Sequence, residues 1–134
     1  MSGRVLAERW LASQLASLPC SVHSHPAPDD AAYPNVTIGL RSGTDIRRMG
    51  DPTRYERLIY DISAWDIGES SLKAHETAAH AHRLLDGVPP VNVEGGVILS
   101  CRRIGGVPID NTVEEGIRYQ RDGSLYQIEV LVDS

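Results

Sequence analysis

The chain predicts an α+β domain in which two helices pack on one face of a mostly antiparallel sheet. Three observations carry this expectation. Two segments space their apolar residues like helices, one at the start of the chain and one between strands. Four segments, 35–40, 55–65, 97–104 and 125–132, show the two-residue alternation of strands. The length of 134 residues suits a single domain with one core.

The first helix is expected over about residues 3–18, where Val5, Leu6, Trp10, Leu11, Leu15 and Leu18 recur near helical spacing and Pro19 ends the run. The connector 23-HSHPAPDDAAYP-34 contains prolines that disfavour both helix and ladder, so it reads as an extended loop. A short strand follows in 35-NVTIGL-40. The next segment, 41-RSGTDIRRMGDPTR-54, holds two glycines, one proline and four arginines, and reads as a long loop or the arm of a hairpin.

From Tyr55 to Trp65 the strand signal is strongest. Leu58, Tyr60, Ile62 and Ala64 share one face, and Ile59 and Trp65 on the other suggest that both sides are partly covered. The second helix is expected over about 70–86, with Ser70 or Ser71 as N-cap, Gly87 just past its end, and Pro89-Pro90 barring continuation. Val97, Leu99 and Cys101 alternate in the next strand, which Gly105-Gly106 should break. A polar loop is expected over 110–123, and then Tyr126, Ile128, Val130 and Val132 face inward from the last strand.

Composition narrows the function. A formal net charge of −5 is unlike the clustered positive surplus of a nucleic-acid binder. No apolar run approaches the roughly 20 residues that span a bilayer, so no membrane partner is expected. Glu8 and Arg9 interrupt any signal-peptide core, so the N-terminus reads as mature structure. Cys20 and Cys101 lie far apart and in no CxxC; they read as idle thiols, with a disulfide left open.

The stretch 73-KAHETAAHAH-82 raises the question of a metal. Zinc binding from one helix needs ligands at i and i+4, but His75 and His80 are five apart and point about 140° away from each other. His75 and His82 share a side, yet stand about 10 Å apart along the axis. The constructive reading is an apolar stripe, Ala74, Ala78, Ala81 and Leu85, with His75 and His82 on one border and His80 on the other. No GxSxG, P-loop or GxGxxG occurs. The expectation is therefore of no catalytic residues, no metal and no cofactor, with a histidine-based metal-dependent hydrolase as the disfavoured alternative.

Taken in order, the motifs 33-YPNVTIG-39, 55-YERLIYDISAWD-66, 84-LLDG-87, 97-VILSCRRI-104 and 125-LYQIEVLVD-133 resemble the small tail-terminator, or tail-completion, proteins of long-tailed bacteriophages. The resemblance covers nearly the whole chain. It implies a non-enzymatic virion protein that assembles as a ring, typically a hexamer, on the head-proximal end of the tail tube. Such a ring stops tube polymerisation and docks to a connector or stopper protein of the head, while DNA passes through its lumen without specific binding. Another connector protein of the same joint is the nearest alternative. Loops 41–54 and 110–123 and the flank of the histidine helix are the expected subunit contacts, with Arg47, Arg48, Asp51, Arg54, His75 and His82 as candidate interface residues.

Overall fold

Strands with apolar residues on alternate positions need a cover on one side only, and here two helices supply it. The computed structural model describes residues 2–46 and 54–133, and only the backbone of 46 and 109–111. In chain order the elements are α1 (Gly3–Leu15), β1 (Ser21–Ser24), β2 (Asn35–Ile46), β3 (Arg54–Ile67), α2 (Leu72–Leu85), β4 (Val91–Val93), β5 (Gly96–Glu114) and β6 (Ile117–Val132). The sheet runs β1-β2-β3-β6-β5-β4 and is antiparallel except for the β1–β2 pair. The α+β class, with both helices on one face, is as the sequence predicts.

The core forms where β3 and β6 lie side by side. Leu58 pairs with Ile128 and Tyr60 with Tyr126, and all four side chains are buried under the helices. From α1 come Leu6, Ala7, Trp10, Leu11 and Leu15. Val5 falls outside this stripe and is 40% exposed, because its direction lies about 200° from that of Ala7 on a helical wheel. Ser2 caps α1 by accepting from the Val5 N–H, and the helix ends at Leu15 with a further turn to Leu18. From α2 come Ala74, Ala81 and Leu85, with Ala78 partly buried, so the alanine stripe is the packed face.

Four expectations need correction. Residues 21–24 form β1, parallel to β2, where a loop was expected to begin; Val22 packs against the core, and the His25 N–H extends the edge by donating to Ile38 O at 2.9 Å. Residues 41–46 continue β2, and Arg54 opens β3, so the expected 41–54 loop is in large part strand; 47–53 lie outside the described residues. Gly105-Gly106 does not end β5, because register shifts between Arg103 and Gly105, and between Val107 and Asp110, carry the ladder past it. The expected 110–123 loop is the end of a long β5–β6 hairpin, turned by Glu115 (φ 51°) and Gly116 (φ 78°). Positive φ at both central residues matches the right-handed twist of the flanking strands.

The phase of β5 also differs. A shift between Ile98 and Ser100 places Ile98 and Cys101 in the core, in place of Val97 and Leu99. Cys20 and Cys101 are free thiols, and burial, followed by the nearby Asp86 charge, pushes the Cys101 thiol up to about 12. No described helix is long and apolar enough to cross a membrane.

Truncating the centre of this core has a calculable cost. Ile128→Ala removes a side chain that is 0% exposed, and should lower unfolding free energy by about 2–4 kcal/mol in urea titrations without changing the slope.

Candidate functional site

The histidines come first because the sequence singles them out. On α2, His75 and His82 face β6: His75 Nδ1 lies 2.7 Å from Asp122 Oδ2, and His82 Nδ1 lies 3.2 Å from the Tyr126 hydroxyl. His82 Nε2 is also 3.7 Å from Asp86 Oδ2. Both side chains stay about two-fifths exposed, with their inner nitrogens used to fasten helix to sheet. Among the described residues, no group of three His, Cys, Asp or Glu is placed to hold a metal ion.

The expected interface residues do not converge. Arg54 pairs with Val132 at one end of β3, whereas the His75 partner Asp122 pairs with Ala64, ten residues along. At about 3.3 Å per residue that is roughly 33 Å of strand. Arg47, Arg48 and Asp51 lie outside the described residues.

The polar cluster of the molecule stands on the sheet face that the helices do not cover. Asp61, in the middle of β3, has a side chain only 9% exposed. Its Oδ1 accepts from the Ser63 hydroxyl, and its Oδ2 from Arg41 at 2.8 Å and Arg121 at 2.6 Å. Arg121 also donates to Ser63 and lies over the Trp65 ring, 5.0 Å from its centroid. Trp65 Nε1 in turn donates to Thr37 Oγ1 at 3.0 Å. The register explains the assembly: Arg121 pairs with Trp65 on β3, Gly123 with Ser63, and Arg41 sits at the β2 bulge. A Cβ at Gly123 would collide with the Ser63 side chain, so the glycine leaves the room in which Ser63 and Asp61 meet Arg121.

Burial alone would raise the Asp61 pKa, but the hydrogen bonds from Ser63 and Arg41 and the charge of Arg121 outweigh it and hold the carboxyl below its ordinary value. One carboxylate between two guanidiniums leaves one positive charge in excess, bordering a cavity of about 360 Å³ lined by His25, Thr37, Arg41, Asp61, Trp65 and Arg121. Two-residue alternation puts Asp61 on the face of Ile59 and Trp65 but does not distinguish it from an ordinary surface charge. The available signal was a charge in the centre of the most apolar strand.

A second surface lies at the turn end of the β5–β6 hairpin. Ile67 and Ile117 (each 42% exposed) lie on one face there, Val113 (54%) points to the other face of the ribbon, and Leu72 (62%) opens α2. Ile67 pairs with Tyr119, Val113 with Arg118, and Ile117 with Glu114. The connection to Leu72 is tied to the same place, since the Gly68 N–H donates to Arg118 O and Arg118 Nε lies 3.6 Å from Glu69. Charged and exposed apolar side chains therefore alternate at this end of the sheet. In comparisons with known proteins, no family model and no curated protein matches this chain.

Two outcomes follow from this geometry. Asp61→Asn leaves two arginines without their carboxylate and should cost about 2–4 kcal/mol near neutral pH. Because the folded pKa is lowered, the contribution of Asp61 is present above its unfolded value and lost as pH falls through the folded one. The gap between wild type and variant should therefore narrow in urea titrations repeated below pH 4. The double variant His75→Ala, His82→Ala should keep its fold, as read by circular dichroism, while losing about 1–2 kcal/mol with the two helix-to-sheet links.

Proposed function

We propose that the chain is a structural subunit of a closed ring, the tail terminator of a long-tailed bacteriophage. In this reading it caps the head-proximal end of the tail tube, stops polymerisation, and presents the surface to which the head connector docks. The resemblance of the ordered sequence motifs suggests the role. The observation that carries it furthest is the exposure of aliphatic side chains on both faces of the hairpin end, Ile67 and Ile117 on one and Val113 on the other. Exposed aliphatic side chains on a hairpin end that also carries Glu114, Glu115 and Arg118 have the make-up of a contact surface.

A closed ring requires two different patches on each subunit, one meeting the other on the next copy. The hairpin end is one such patch. The surplus positive charge around Asp61 gives a complementary anchor for the acidic hairpin tip, Glu114 and Glu115. No catalytic role is assigned to any residue, and the net charge of −5 suits a lumen through which DNA slides without being held.

Mixed with its tube protein, the chain should form particles of about six subunits of 14.6 kDa by light scattering, seen as rings with a central hole by electron microscopy. The double variant Val113→Asp, Ile117→Asp should remain folded, since both positions are exposed, and fail to assemble. A wild-type chain that stays monomeric beside its tube, or a double variant that assembles normally, would sink the proposal.

A further inference from the structure

Beside the Asp61 cluster lies a second cavity of about 320 Å³, whose chemistry points to a ligand. The connector that ends in Tyr33 closes over the uncovered sheet face there. Three aromatic rings line the space: Tyr33, Trp65 and Tyr119. The two tyrosine rings lie 6.2 Å apart, inclined at 57°.

Among the described lining residues, the side chain with a fixed charge is the carboxylate of Glu114. Asn35 is 1% exposed, and its Nδ2 donates to Ala32 O at 3.1 Å, which fixes the orientation of the amide. Its Oδ1 is then buried without a hydrogen-bond partner, a costly state for a carbonyl oxygen. Glu114 contributes a carboxylate to the lining, and Asp29 lies close enough to act on the Tyr33 hydroxyl, whose pKa is raised by burial first, then by Tyr119 and Asp29. Among the described residues, no lysine or arginine lines this cavity. Arg121, over the Trp65 ring, borders the neighbouring cavity and is engaged by Asp61. His25 lines both cavities.

Each ligand class can be weighed against this lining. An anion would meet Glu114 and no cationic side chain. A neutral apolar guest would suit the rings and leave the Glu114 carboxylate without a counter-charge. A cation carrying N–H donors answers both the rings and the carboxylate: it stacks on the first and pairs with the second. The volume lies at the small end of ligand pockets, about 300–1,000 Å³, so it suits one such group and a short alkyl stem.

We propose that this cavity binds an alkylguanidinium or alkylammonium group. The guest is either a protein side chain, arginine or lysine, or a free small cation; the recognition chemistry is the same. The proposal does not depend on the ring reading, and the unassembled chain tests it.

The experiment titrates the full chain with N-butylguanidinium, and separately with butylurea, which has nearly the same shape without the charge. Nitrogen-15 NMR follows the Trp65 indole N–H and the Asn35 side-chain amide, with the buried Trp10 indole as an internal reference. Saturable displacement at Trp65 and Asn35, with Trp10 still, is expected for the cation and not for the urea. Glu114→Gln, at an exposed position, should weaken the affinity about threefold to fivefold. Adding the capped tripeptide Gly-Arg-Gly separates the sources: binding as tight as butylguanidinium assigns a side chain as guest, and exclusion of the peptide assigns a small molecule. Absence of saturable displacement, equal binding of butylurea, or an unchanged affinity in Glu114→Gln would each overturn the assignment.

Discussion

Asp61 accepts hydrogen bonds from Ser63, Arg41 and Arg121 on a sheet face that no helix covers, and the shape of that face depends on this one carboxylate. A strand that is apolar on one side and bears a nearly buried charge on the other can sit only at the centre of a sheet, where neighbours on both edges supply donors. Arg41 comes from β2 and Arg121 from β6, so the same carboxylate joins all three central strands. Removing either partner leaves charge in a poorly hydrated place, whereas keeping all three leaves the cluster satisfied and one positive charge in hand. Arg121, held in this way, stays over Trp65, and Trp65 with Thr37 becomes the wall between the two cavities.

The helix side is governed by size. Ala74, Ala78 and Ala81 let α2 approach the sheet closely, and the two histidines then reach β6 with ordinary hydrogen-bond geometry. A bulkier stripe would lift the helix and break both links. The histidines serve as fasteners of a close contact, so their clustering follows from the helix's border positions.

Much of this was legible in the residues. The alanine stripe, the core faces of β3 and β6, and the end of α2 at Gly87 follow from period and capping, because each is a local rule with a single dominant cause. What escaped detection did so for physical reasons. The far part of the β5–β6 ribbon carries glycines and polar residues with Val113 and Ile117 on opposite faces, a pattern without clean alternation that reads as loop, and its turn uses Glu115 in a left-handed conformation that Asn, Asp or Gly usually occupies. Bulges reverse which residues of β5 face inward, and no periodicity count anticipates them. The Asp61 cluster joins residues 20 and 60 positions apart, one at a bulge and one in the misread ribbon, so only the folded register could assemble it.

The irregular strand edges carry a consequence for life among identical copies. β2 is bulged at Arg41, where its cover by β1 has ended, and β5 beyond Arg103 carries two register shifts and Pro108. Such edges offer a poor template for backbone hydrogen bonding by a second sheet. Any contact between two copies is thereby steered away from edge-to-edge pairing and towards side chains, whose geometry can close on itself. The misplaced residues act as a stop against endless stacking, and that restraint suits a molecule whose proposed task is to end a polymer.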